Sequence, residues 1–86
     1  GTAILMKYYV YLLQSIGSKK NKPYVGYTKD LKKRIFLHNT GKGAKATRGF
    51  KWKIIFKKKF FSKSKAMSFE YKLKKNRTLR KNIILL

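Results

Sequence analysis

The sequence predicts one small α+β domain with its elements in the order β-β-α-β-α. Three observations predict it. The chain has 86 residues, 43% of them hydrophobic, which is enough for one modest core. Three short runs of apolar and aromatic residues read as strands. Two segments with helical spacing follow good N-cap residues.

Tyr8-Tyr9-Val10-Tyr11-Leu12-Leu13 is a continuous run of β-favouring residues and reads as a central strand buried on both faces. Gly17 to Lys22 is a polar turn. Tyr24 to Tyr27 is a second strand, a hairpin partner of the first, with Pro23 at its start where a strand tolerates it. Asp30 is a good N-cap for a helix that carries Leu31, Ile35 and His38 at i, i+4 and i+7 on one face, and Gly41 and Gly43 end it. Trp52 to Phe61 is a third strand centred on Ile54, Ile55 and Phe56. Ser62 or Ser64 caps a second helix running to about Lys75, with Ala66, Phe69, Glu70 and Leu73 on its inner face. A last helical turn or two starts near Thr78. Gly1 to Leu5 reads as an extension ahead of a native start at Met6, so residues 6–86 form the domain.

Lys and Arg number 24 and Asp and Glu number 2, a formal net charge of +22. The basic residues are interleaved with apolar ones from Lys7 to Lys81, so charge and core belong to one folded unit. Such a surface calls for a polyanion, with nucleic acid ahead of an acidic membrane. The chain has no cysteine and one histidine. That excludes a disulfide framework, a thiolate metal site and a cysteine nucleophile, and leaves little for a zinc cluster. No stretch approaches the ~18 apolar residues of a membrane span. A signal peptide is lacking too, and the expected setting is the cytoplasm.

The segment Gly41 to Thr47 looks like a phosphate loop but lacks both the Walker spacing and a preceding strand. It is either a helix C-cap or a basic loop whose Lys42, Lys45 and Arg48 hold a DNA phosphate. Glu70 is the only glutamate. A lone helix glutamate often serves a surface ion pair. Glu70, however, lies beside the apolar stripe of Ala66 and Leu73, and a hard divalent cation can be held by one carboxylate plus water and substrate phosphate. Tyr9 and Tyr11 project to one face of the first strand, where tyrosines either pack or act. A nearby cation such as Arg34 favours the phenolate of a tyrosine. His38 lies one turn beyond Arg34, as a packing residue or a functional one. Gly26 has no side chain, so a phosphate can approach the second strand closely.

Tyr9-Val10-Tyr11, followed after twelve residues by Tyr24-Val25-Gly26, resembles the two-part signature of the GIY-YIG nuclease family. Arg34 stands ten residues after Tyr24 and His38 four later. The stretch from His38 to Arg48 resembles the small stand-alone bacterial branch, which is similar to the catalytic half of the Slx-type structure-specific endonucleases. The resemblance runs from Tyr8 to about Asn82. Tyr9 stands in place of the first glycine of the signature, and Tyr27 in place of a lysine found in some relatives.

The resemblance implies a three-stranded antiparallel sheet flanked by helices. It also implies a metal-dependent endonuclease that hydrolyses DNA phosphodiester bonds, in branched or damaged DNA, with one divalent ion, Mg²⁺ or Mn²⁺, on Glu70. Arg34 would neutralise charge on the phosphoryl oxygens and His38 would assist by hydrogen bonding. Tyr24 or Tyr11 would activate the attacking water. The setting of Tyr24 beside Gly26, on the strand that leads to Arg34 and His38, favours Tyr24 as general base and Tyr11 as an orienting donor. The domain is expected as a monomer, with a protein partner supplying any targeting it cannot supply itself. The alternatives are a nucleic-acid-binding module with the same fold and no useful catalysis, and a ribosome- or RNA-associated basic protein. Charge supports all three equally, because backbone binding is largely blind to sequence.

Overall fold

A computed structural model describes residues 6–17, 22–43 and 45–84. Strands β1 (Tyr8–Ile16), β2 (Pro23–Thr28) and β3 (Lys51–Phe60) form one antiparallel sheet in the order β2-β1-β3. Helices α1 (Leu31–Asn39), α2 (Lys63–Lys75) and α3 (Arg77–Ile84) flank it, and a 3₁₀ turn spans Lys45–Thr47. The α+β class and the β-β-α-β-α order hold, with α3 appended. Among the described residues no helix is long and apolar enough to cross a membrane.

The central strand has a core on each face. Tyr8, Val10 and Leu12 pack with Val25 and with Ala66 and Leu73 of α2. Tyr11 and Leu13 pack with Trp52 and, from α1, with Leu31 and Ile35. Val10, Leu12, Leu13 and Leu73 are fully buried, and each such side chain contributes roughly 1.5–3 kcal/mol. β1 continues beyond the expected Leu13 through Gln14-Ser15-Ile16. Ser15 is buried, its N–H donates to the Lys22 carbonyl (3.0 Å), and its Oγ accepts from the Lys22 N–H (2.7 Å), so polar residues complete the strand. The expected Gly17–Lys22 turn falls largely on residues 18–21, and the expected extension on residues 1–5, both outside the described residues.

β3 runs from Lys51 to Phe60, one residue earlier than expected. Its pairing with β1 slips between Leu12 and Leu13, which face Phe56 and Ile54, so Ile55 is the extra residue of a bulge. The bulge reverses the alternation. Trp52 packs on the α1 side, whereas Phe56 and Phe60 pack on the α2 side. Lys57 and Lys59 are thereby turned onto the α1 face, opposite Tyr11 and Tyr9.

The helix starts follow local chemistry. Asp30 Oδ1 accepts from the Lys33 N–H (3.1 Å) and Ser62 Oγ from the Lys65 N–H (3.4 Å). α3 begins at Arg77, beside the expected start near Thr78, and Asn76 Oδ1 accepts from the Leu79 N–H (2.9 Å). At the end of α1, the N–H groups of Thr40, Gly41 and Lys42 return to Phe36, His38 and Leu37. Gly41 there adopts φ +79, a conformation that favours glycine. Asn39 joins α1 to β3 by accepting from the Trp52 N–H (2.6 Å) and donating to the Trp52 carbonyl (3.3 Å).

Candidate active site

Five of the expected site residues meet in one small cavity at the β2 edge of the sheet. It has a volume of about 130 Å³ and is lined by Tyr11, Tyr24, Gly26, Arg34, Glu70 and Lys74, with Val25 and Tyr27 of β2 completing it. β1 and β2 bring the phenols from the sheet face under α1. Arg34 comes from α1 itself. Glu70 and Lys74 reach the site from α2, around the edge strand.

Tyr11 is the centre of the hydrogen bonding, and the residue is 1% exposed. Tyr11 lies opposite Gly26 in the strand register, and a Cβ at Gly26 would stand 2.5 Å from Tyr11 Oη. The space that Gly26 frees is thus taken by the Tyr11 phenol rather than by an approaching phosphate. Arg34 Nε–H donates to Tyr11 Oη (3.4 Å), and His38 Nε2 lies 3.0 Å from the same oxygen. On the far side of the imidazole, Nδ1 lies 2.9 Å from Thr47 Oγ1. Gly43 presses on this ring from the loop: a Cβ there would stand 2.6 Å from His38 Nδ1 and 3.0 Å from its Cα.

The protons in this chain follow from its electrostatics. Burial pushes the Tyr11 phenol above its ordinary value of about 10, with the Arg34 hydrogen bond only partly offsetting it. Burial, and then the Arg34 charge, hold His38 below its ordinary value of about 6.5, so the imidazole is neutral at pH 7. Arg34 is held even more firmly in its charged form, chiefly by the Tyr11 hydrogen bond. In the tautomer with its proton on Nδ1, His38 accepts the Tyr11 hydroxyl proton at Nε2 and donates Nδ1–H to Thr47 Oγ1. That tautomer gives a directed chain from Arg34 through Tyr11 and His38 to Thr47.

From the sequence, the Arg34 cation was expected beside Tyr24. The fold places it beside both phenols, with a side-chain hydrogen bond to Tyr24 as a smaller contribution than the one to Tyr11. Arg34 bonds Tyr11, while the Tyr24 ring stacks edge-on against His38 (centroids 5.0 Å apart) and tilts against Trp52 (6.2 Å). Tyr24 still borders the cavity and adds to the field that keeps Arg34 charged.

Glu70 lines the cavity, and its Oε1 accepts from Lys74 Nζ at 2.7 Å, the i,i+4 ion pair of the structural alternative. With the lysine side chain 52% exposed, such a pair is worth about 0.3–0.5 kcal/mol and exchanges readily. Among the described residues no cluster of three metal-ligating side chains exists. The donor set therefore fits a hard divalent ion held by one carboxylate and completed by water and substrate phosphate, and it does not fit a closed protein site.

Lys42, Lys45 and Arg48 are exposed on the loop beyond His38 and do not line the cavity. That loop acts on the site through Gly43 and Thr47 instead. Sequence reasoning missed Thr47, Gly43 and Lys74 as members of the site.

Two consequences are measurable. The atom in the way at Gly26 belongs to a buried, rigid ring, so Gly26→Ala must displace Tyr11 or part the strands. We expect a loss of about 1–3 kcal/mol in urea unfolding. Folding also excludes a proton from His38, so the unfolded chain binds more protons just below pH ~6.5. Stability from this group is fully present above that pH and is lost as pH falls through the lowered folded-state value. Denaturation at about pH 7.5 and pH 5 should show the decline, and His38→Gln should reduce it.

Comparisons with known proteins identify the family. Residues 7–82 match the model of the GIY-YIG catalytic domain. The chain is 44% identical over 69 residues to the UPF0213 protein OB0043 of Oceanobacillus iheyensis, covering 79% of this chain and 77% of that protein. It is 40% identical over 80 residues to a UPF0213 protein of Streptococcus pneumoniae, covering 92% and 78%. The solution NMR structure of the UPF0213 protein BH0048 from Bacillus halodurans superposes with a TM-score of 0.55 at 38% identity, covering 93% of this chain and 83% of that one. The cavity that joins Tyr11, Tyr24, Arg34 and Glu70 is thus set in a matched catalytic domain, and the chain belongs to the GIY-YIG nuclease family, among its small UPF0213 proteins.

Proposed function

We propose that the protein is a metal-dependent endonuclease that hydrolyses phosphodiester bonds in DNA. The observation that carries this reading is the Arg34–Tyr11–His38–Thr47 chain opening into the cavity that also holds the only glutamate. A net charge of +22 supplies the attraction for the substrate backbone.

Proton transfer runs through neutral groups. A water bonded to Tyr11 Oη gives its proton to that oxygen as Tyr11 passes its own proton to His38 Nε2. The nucleophile is then hydroxide-like, Tyr11 is again a neutral phenol, and His38 is an imidazolium whose Nδ1–H remains on Thr47. A free phenolate is never needed, which suits a buried tyrosine with a raised pKa. Arg34 faces the phosphoryl oxygens as negative charge builds on them. Glu70 holds Mg²⁺ or Mn²⁺, and Lys74 exchanges its carboxylate partner for a substrate phosphate. When bound, the ion supplies Lewis-acid stabilisation of the phosphoryl group and the leaving oxygen. Tyr24 positions His38 through its ring and orients the water.

The second reading, a nucleic-acid-binding module without turnover, is favoured by the Glu70–Lys74 pair, which fills the metal-binding carboxylate. Incubation with linear duplex, flap, nicked and four-way-junction DNA in Mg²⁺ or Mn²⁺, against EDTA, separates the two. The nuclease reading expects metal-dependent cleavage of at least one branched or damaged substrate. Binding to all of them with cleavage of none would establish the binding module. Sedimentation of the same samples checks the expected monomer.

A further inference from the structure

A second cavity lies apart from the one around Tyr11. It has a volume of about 400 Å³ and lies between the sheet and the start of α1, lined by Tyr9, Lys29, Asp30, Leu31, Lys32 and Lys57. Its floor is built by register. Tyr9 stands on the central strand between Thr28 of β2 and Lys59 of β3, and Lys57 joins it on the same face because of the bulge at Ile55. Among the described residues Tyr9 belongs to neither core cluster, although it is only partly exposed. A phenol ring is therefore presented at the base of a groove with Lys32 and Lys57 on its rim, while the Lys29 ammonium lies over the Tyr8 ring (5.6 Å) of the other sheet face.

We infer that this groove binds an unpaired nucleotide of single-stranded DNA, with the base stacked on Tyr9 and the flanking phosphates on Lys32 and Lys57. An aromatic platform in a cationic groove is the common device for single strands, since every base has a π-face and the backbone is read by charge alone. A duplex offers no such face, because its bases are stacked on one another. The one acidic group, Asp30, is occupied in capping α1 through the Lys33 N–H, and Lys32 and Lys57 of the same lining outweigh its charge. Tyr9 and Tyr11 point the same way two residues apart, about 7 Å along the strand. A nucleotide held on Tyr9 thus lies next to the cavity at Tyr11. This placement gives the nuclease reading a substrate class, DNA with a single-stranded segment beside the scissile bond, and it rests on that reading for this adjacency only.

Binding without turnover tests it. Fluorescence anisotropy in EDTA compares a labelled 20-nucleotide thymidine strand with a duplex of equal length, for the wild type, Tyr9→Leu, Tyr9→Phe and Lys57→Gln. Tyr9→Leu should weaken single-strand binding roughly 5- to 150-fold, the scale of one base stack, and leave duplex binding within about twofold. Tyr9→Phe should bind as wild type does. Lys57→Gln should lower the single-strand salt slope by about 0.7. Unchanged single-strand affinity in Tyr9→Leu, with a wild-type melting curve, would overturn the assignment, and so would an equal loss on duplex. A uridine RNA strand bound more tightly than the DNA, with the same Tyr9→Leu loss, would give the platform to RNA and overturn the DNA assignment. Cleavage does not enter these measurements, so the nuclease reading can fail while single-strand binding at Tyr9 stands, and the reverse.

Discussion

Tyr11→Phe is expected to slow single-turnover cleavage by at least ~10²-fold, the scale for loss of a general acid–base group. The substitution removes one oxygen and nothing else. That oxygen accepts from Arg34 Nε (3.4 Å) and lies 3.0 Å from His38 Nε2, so its loss breaks the proton path and releases the arginine from its position. It also leaves a buried imidazole nitrogen without its partner, which costs roughly 1–3 kcal/mol of stability. Tyr24→Phe should slow the reaction by less than about tenfold, because its ring contacts with His38 and Trp52 survive the change and only the weaker of the two tyrosine hydrogen bonds to Arg34 is lost. Rates for both variants, on the best substrate of the DNA panel, check the order. A slower Tyr24→Phe than Tyr11→Phe would return the role of base to Tyr24.

Glu70→Gln is expected to abolish metal-dependent cleavage while DNA binding stays equal or tightens. The amide keeps the shape of the side chain but loses the anionic oxygen that a hard cation requires. Its folding cost is small, since the Lys74 pair it weakens is half-exposed. Removing the carboxylate also frees the Lys74 ammonium for phosphate. Cleavage in Mn²⁺ and anisotropy in EDTA separate the two effects. Parallel loss of binding and of the folded state would make Glu70 a structural ion-pair residue.

Much of the scaffold was legible because its causes are local. Asp30 caps α1 three residues before its bonding partner, and the i, i+4, i+7 spacing of Leu31, Ile35 and His38 faces the core that the fold gives it. Glu70 stood out as the only glutamate, beside an apolar stripe. The pairing of functional groups was less legible. Both phenols lie on one sheet face, and only the register that puts Tyr11 over Gly26 brings its oxygen to Arg34 and His38 together. Thr47 follows His38 by nine residues across an irregular loop, so no periodicity connects them. The bulge at Ile55 is likewise silent in an apolar run, yet it turns Lys57 and Lys59 toward Tyr9 and Tyr11. The one sequence cue for the loop contact was the pair of glycines after α1. Gly41 ends the helix, and Gly43 makes room for the imidazole.

The most direct measurement is the pH dependence of the single-turnover rate at saturating Mg²⁺ and DNA. Transfer through a neutral Tyr11 to a neutral His38 requires the unprotonated imidazole. His38 titrates below its ordinary value, so the rate should rise with pH on the acid side and be level from about pH 6.5 to 9. His38→Gln should lower the plateau and remove the acid limb. A rate that climbs tenfold per pH unit through about pH 9, in wild type and His38→Gln alike, would mean that a phenolate or free hydroxide does the work, and would contradict the relay.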